Sequence, residues 1–157
     1  MRSTLCILSV SLVLGACSGM PATSPAAASA AVPATPSLTG TSWRLASFRA
    51  NEDGSQDLRP GTPDSFTLSF GKDGRLAVRL DCNRGNGPWQ AVATDATGGT
   101  LSLGPVATTR AMCPPDAAGA RLAQDLPALR TWRLQDNRLH LGLPADAGVY
   151  VWDRITP

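Results

Sequence analysis

Hydrophobic and polar residues alternate along two neighbouring stretches in the middle of the chain. Every second position is apolar over residues 66–70 and again over residues 76–80. This period of two is typical of a half-buried β-strand. Residues 71–74 (Gly-Lys-Asp-Gly) supply turn residues, so the pattern predicts a β-hairpin with a longer loop. Because the alternation continues to Cys82, we expect that cysteine to point into the core.

Similar but shorter patterns predict six further strands. They cover residues 43–48, 89–93, 101–103, 131–134, 139–143 and 149–152. Residues 83–87 and 97–99 are rich in Gly and Asn, and they predict turns between these strands. Four of these strands each contain one tryptophan: Trp43, Trp89, Trp132 and Trp152. The tryptophans are either core residues or an exposed binding surface, and the sequence leaves both open.

One helix interrupts the strands. Residues 114–116 (Pro-Pro-Asp) are a helix start signal. Three leucines have the spacing of one buried helix face: Leu122, Leu126 and Leu129. Pro127 should end or bend the helix near residues 125–126. Many short strands and one helix predict a mainly β fold, a small antiparallel barrel or a strongly curved sheet plugged by that helix.

The N-terminus has the pattern of an export signal. Residues 5–14 are apolar except for two serines, and Arg2 precedes them. A basic start, an apolar segment and small residues before a cleavage point are the parts of a secretory signal peptide. Residues 14–17 (Leu-Gly-Ala-Cys) resemble the lipobox of bacterial lipoproteins. That resemblance implies cleavage before Cys17, lipid modification of Cys17 and attachment of the mature protein to a membrane.

Composition then divides the chain into three parts. Residues 1–16 are the expected signal peptide, and residues 17–37 are the lipidated cysteine with a tether of mostly Ala, Pro, Ser and Thr. Such a segment buries too little apolar surface to fold, so we expect it to be disordered. The β domain should occupy residues 38–157. The net charge of the whole chain is +2, without a basic cluster, which argues against nucleic-acid binding.

Cys82 and Cys113 remain once Cys6 is removed with the signal peptide and Cys17 is acylated. In an oxidising compartment they are candidates for a disulfide, the alternative being two separate buried thiols. Two cysteines and one histidine do not provide the four ligands of a structural zinc site. We therefore expect no metal and no cofactor.

Two cysteine-containing stretches resemble the signatures of META domains. Residues 82–84 (Cys-Asn-Arg), followed by Gly85 and Gly87, are similar to the first signature, and residues 108–113 (Thr-Thr-Arg-Ala-Met-Cys) to the second. The resemblance extends over about residues 38–155 and is close to the heat-inducible HslJ-type members. It implies a small, mainly antiparallel β fold and an envelope-associated lipoprotein, but it supplies no reaction. Asp81 stands where the family usually has a glycine, which puts a left-handed backbone there in doubt.

Four polar residues should cluster if the two cysteines are joined: Asn83, Arg84, Thr109 and Arg110. One interpretation is an anion- or peptide-binding patch, because arginine offers a planar fork of donors. The other is structural, with Asn83 and Thr109 satisfying backbone groups in tight loops. We favour the structural interpretation. His140 should be an exposed strand residue, and no recognisable nucleophile motif accompanies it, so we predict no catalytic residues.

The expected function is that of a non-enzymatic envelope lipoprotein that binds a protein or another envelope component or supports the envelope under stress. The alternative is an inhibitor of lysozyme or of an envelope protease, or a small-ligand binder. Ser18 differs from the aspartate that resembles an inner-membrane retention signal, so we expect the periplasmic face of the outer membrane. We also expect a monomer.

Overall fold

The computed structural model describes residues 35–51, 57–62 and 64–156. The expected signal peptide, Cys17 and residues 18–34 of the expected tether lie outside these described residues. Within the described part of the chain, no helix combines the length and the apolar character needed to cross a membrane.

Eight antiparallel strands close into a barrel, and a ninth, very short strand lies against one of them. The strands are β1 (Thr41–Ala50), β2 (Phe66–Phe70), β3 (Arg75–Leu80), β4 (Asn83–Ala93), β5 (Gly98–Leu103), β6 (Ala107–Thr108), β7 (Thr131–Gln135), β8 (Arg138–Gly142) and β9 (Gly148–Ile155). Their order around the barrel is β3-β2-β1-β9-β8-β7-β5-β4, and pairing of β3 with β4 closes it. The prediction of a mainly β fold is confirmed, and the structure selects the barrel over the open curved sheet.

The short strand β6 lies at an edge. It pairs with the first half of β4, whereas β5 pairs with the second half. On its other side, β6 pairs with no described strand. The unpaired side of β6 is therefore open to another chain.

The prediction of a turn over residues 83–87 is wrong, because these residues begin β4. The chain reverses earlier, at Asp81, whose φ is +57°. The two glycines instead allow close packing of backbones. A Cβ atom on Gly85 would lie 2.6 Å from the carbonyl oxygen of Ala107, and one on Gly87 would lie 2.6 Å from that of Pro105. For a similar reason Gly98 and Gly99, expected in a turn, belong to β5.

The helix α1 spans Ala117–Asp125 and is followed by a 3₁₀ turn at Leu126–Ala128. Asp116 is its N-cap, with the Gly119 N–H donating to the Asp116 carboxylate at 2.8 Å. Pro127 lies just beyond the last α-helical residue, as predicted. The three leucines of the predicted helix face are buried: Leu122, Leu126 and Leu129.

A polar network attaches α1 to the barrel. The Arg121 guanidinium contacts the Asp125 carboxylate at 2.6 Å, and the Tyr150 hydroxyl donates to the same oxygen at 2.8 Å. Burial raises the pKa of Tyr150, and the hydrogen bond to Asp125 raises it further. The phenol therefore stays a donor at neutral pH, which fixes the end of α1 on β9.

The tryptophans form the core rather than an exposed surface. All four are buried: Trp43, Trp89, Trp132 and Trp152. The Trp43 indole N–H donates to the Thr41 hydroxyl at 2.7 Å. This settles the alternative that the sequence left open in favour of packing.

Candidate functional site

Cys82 and Cys113 are joined by a disulfide with a Cα–Cα distance of 5.7 Å. Cys82 lies between β3 and β4, and Cys113 lies shortly before α1. The expectation that Cys82 points into the core is wrong, because the residue is exposed. The positive φ of Asp81 ends the alternation of β3 one residue before the cysteine. The bond is therefore a surface connection between two loops.

Asp81 keeps the left-handed backbone at the position where the resemblance expects a glycine. Aspartate tolerates this conformation better than most residues, since its short polar side chain can hydrogen-bond locally. Two hydrogen bonds to the Asp81 backbone hold the turn. The Asp81 N–H donates to the Ser65 carbonyl at 2.7 Å, and the Arg79 Nε donates to the Asp81 carbonyl at 3.0 Å. The departure from the family pattern therefore leaves the turn in place.

The Asn83 side chain holds the segment that leads to Cys113, which we call the cysteine loop (residues 109–113). Its Oδ1 accepts hydrogen bonds from the Thr109 hydroxyl at 2.9 Å and the Ala111 N–H at 2.7 Å. Its Nδ2 donates to the Ala111 carbonyl at 3.1 Å. Both polar atoms of the Asn83 amide are thus used to fix the loop, as the structural interpretation expects.

Thr109 adds a second connection to β4. Its hydroxyl accepts the Arg84 N–H at 3.0 Å, and its own N–H donates to the Arg84 carbonyl at 2.9 Å. The pairing of β6 with β4 therefore continues beyond the last residue of the strand. The loop is an extension of the sheet edge rather than a free connection.

Two residues of the cysteine loop face the other way. The N–H groups of Arg110 and Met112 form no hydrogen bond with a described residue. In an extended chain, backbone groups of successive residues point to opposite sides, and Ala111 points to Asn83. The Met112 side chain is 100% exposed. The sequence analysis did not identify Met112 as a site residue. A signal was present, because the alternate positions on either side of Met112 are Arg110 and Pro114, so Met112 does not belong to an apolar strand face.

The predicted arginines lie around this loop. The side chains of Arg84 and Arg110 are exposed and form no ion pair within the described part of the chain. Arg79 lies directly opposite Arg84 in the register of β3 and β4. The structure thus brings the four predicted polar residues together, with two of them in structural contacts and two presenting positive charge to solvent.

A cavity of about 300 Å³ lies between α1 and the barrel, next to the disulfide. Its lining is mainly apolar and includes Phe66, Leu80 and Pro115. The carboxylate of Asp116 also lines it, but both oxygens already accept backbone hydrogen bonds, from Gly119 and Gly61, each at 2.8 Å. The cavity can hold a small apolar group, and Asp116 is committed to the helix cap.

The atoms of Asp81, Cys82 and Cys113 that could bind a metal ion lie within 4.8 Å of one another. Thiolates are the form of cysteine that binds zinc and similar metals. Both sulfurs are consumed by the disulfide. This set of donors therefore does not fit a metal ion.

His140 lies apart from this site, on the outer face of β8 and opposite Arg133 of β7. It is half-buried rather than exposed as expected. Burial lowers the pKa of His140, and the nearby charge of Arg138 lowers it further. The imidazole is therefore neutral at pH 7, and it forms no hydrogen bond with any side chain that the structure describes.

Known structures share this fold. A protein from Burkholderia xenovorans, solved by NMR, is 20% identical with a TM-score of 0.58, over 85% of this chain and 99% of that one. A DUF4847 family protein from Bacteroides vulgatus, solved by crystallography, is 15% identical with a TM-score of 0.53, over 74% and 93% of the two chains. At these identities the likeness concerns the fold alone.

Among curated proteins, none matches this chain. The family model of the META domain matches residues 36–153, which include the whole barrel apart from the end of β9, both cysteines and the cysteine loop. The chain therefore belongs to the META domain family.

Proposed function

We propose that this META-domain protein is a lipid-anchored component of the bacterial envelope and works as a non-enzymatic binding module. The anchor is the lipid on Cys17, implied by the lipobox of residues 14–17. The domain stands off the membrane on the tether, at the periplasmic face of the outer membrane. The Cys82–Cys113 disulfide supports export, since such bonds persist in oxidising compartments.

The observation that carries the binding role is the fixed geometry of the cysteine loop. Asn83 holds Ala111 by two hydrogen bonds, and the disulfide holds the next residue but one. Met112 lies between these two attachments and is fully exposed. A backbone that is already fixed loses little conformational freedom on binding, so more of the contact energy of the loop contributes to affinity.

The titratable groups near the cavity support binding rather than catalysis. Asp116 accepts two backbone hydrogen bonds and is the helix cap. His140 lines a different surface, together with Arg133 and Gln135. Catalysis by acid and base needs such groups to converge on one reacting atom. The arrangement of these residues therefore favours a partner bound at the surface, and an envelope protein is the partner we propose.

The anchor is tested by replacing Cys17 with serine. The wild-type chain should be cleaved before residue 17 and recovered with membranes, because acyl chains hold it there. The Cys17→Ser chain should keep its signal peptide or lose the acyl chains. Intact mass of the purified protein and fractionation of cells measure both effects.

Cys6→Ser is the matched control, because Cys6 belongs to the same N-terminal segment but lies inside the expected signal peptide. It should be processed and fractionated like the wild type. Unchanged mass and fractionation of the Cys17→Ser protein would contradict the anchor.

A further inference from the structure

We infer that the cysteine loop is a substrate-like segment that occupies the cleft of an endopeptidase with an apolar primary specificity pocket, and that the Met112 side chain enters this pocket. The inference rests on the proposed function, because it names the partner class of the binding module. It makes the protein a peptidase inhibitor held at the membrane.

The hydrogen bonds of the loop leave one edge of its backbone available to a peptidase cleft. Thr109 and Ala111 direct their backbone groups to β4 and Asn83. Arg110 and Met112 therefore direct theirs to the open side, where their N–H groups form no hydrogen bond with a described residue. A partner can pair with this edge by adding a strand, and main-chain hydrogen bonds then supply affinity.

The strand pairing between the cysteine loop and the peptidase should end at Pro114. Pro114 lacks an N–H group, so the edge offers no donor directly after Cys113. The contacts with the peptidase therefore lie mainly on the side of Arg110 and Met112. Arg110 is exposed two residues before Met112, and it adds a positive charge next to the contact.

The Met112 side chain is suited to enter the apolar specificity pocket of a peptidase. It is 100% exposed, whereas its neighbours on both sides are attached to the barrel. Methionine is unbranched and flexible, and it fills apolar pockets of differing shape. No rearrangement of the domain is needed for the side chain to enter a cleft.

The same attachments oppose release after cleavage. Hydrolysis would break the bond between the Met112 carbonyl carbon and the Cys113 nitrogen, with the hydroxyl of water passing to the carbon and its hydrogen to the nitrogen. The new carboxyl end would stay near Ala111, held by Asn83. The new amino end would stay on Cys82 through the disulfide. Both ends remain in place, so re-formation of the bond is an intramolecular step.

The test measures inhibition of purified endopeptidases by the full exported protein extracted in detergent. Chymotrypsin and elastase have apolar pockets, and trypsin has an acidic one. We expect inhibition of at least one of the first two at micromolar concentration, with trypsin unaffected. Met112→Glu should raise the inhibition constant by about 30-fold or more, as expected for a central anchor residue. Met112→Lys should create inhibition of trypsin.

Val92→Glu is the matched control, since Val92 is 62% exposed on β4 and lies outside the cysteine loop. It should inhibit like the wild type. The inference is overturned if no apolar-specific enzyme is inhibited, if both glutamate variants behave alike, or if the loop is cut as fast as a linear peptide of the same sequence. The Cys17 experiment is independent of this assay, so a negative result here leaves the proposed anchor standing.

Discussion

Replacing both Cys82 and Cys113 by serine is expected to lower the free energy of unfolding by about 3–4 kcal/mol. The bond joins residues 31 positions apart, and in the chain-entropy model its loss restores freedom to the unfolded chain. Urea titration followed by tryptophan fluorescence measures the change, since all four tryptophans are buried. The midpoint should fall, and the slope should rise, because the unfolded chain without the bond is less compact and exposes more surface.

Wild-type protein treated with a reducing agent is the control for this substitution. It should unfold at nearly the same urea concentration as the double serine variant, because the same connection is lost without new side chains. A loss below about 1 kcal/mol in both proteins would contradict the view that this bond constrains the domain.

Leu122→Ala is the second large effect, with an expected loss of about 3–4 kcal/mol in the free energy of unfolding. Leu122 is fully buried and lies near the middle of α1. Its truncation removes apolar contacts and leaves a cavity that the surrounding barrel fills only in part. Thermal unfolding and urea titration both measure the loss.

The matched control for Leu122 is Gln124→Ala, an exposed position of the same helix. Its effect should stay within about 0.5 kcal/mol, as for most surface substitutions. Equal effects of the two variants would mean that α1 is not packed on the barrel as described. The comparison matters for the candidate site, because α1 forms one wall of the apolar cavity beside the disulfide.

Much of the barrel follows from the alternation of apolar residues. The predicted hairpin of residues 66–70 and 76–80 is observed in β2 and β3, and the helix begins and ends as predicted. These features depend on short-range signals, namely a period of two, a capping aspartate and a proline. Each of these signals is contained in a few neighbouring residues, so it can be recognised without knowing which distant residues will be in contact.

The errors concern residues whose role depends on distant parts of the chain. Gly85 and Gly87 were expected in a turn, but they face the backbone of residues 105–107, which sequence alone does not place. Strand β6 has two residues and carries no period that could be detected. The direction of Cys82 depends on one positive φ at Asp81.

The candidate site was predictable in its members but not in its orientation. The cysteine motifs identified Asn83, Arg84, Thr109 and Arg110 as neighbours. Which of them hold the loop and which face solvent follows from hydrogen bonds between β4 and the cysteine loop. The exposure of Met112 is a consequence of that pairing, so it could not be read from the sequence.

The central claim is that the cysteine loop is the surface by which this protein binds another envelope protein. Its most direct test is a photoreactive amino acid placed at Met112 in intact cells, with the same group at Val92 as the comparison. We expect one discrete crosslinked protein from position 112 and none from position 92, and we expect the product to disappear when Cys82 and Cys113 are serine. No product from position 112, or the same products from both positions, would contradict the claim.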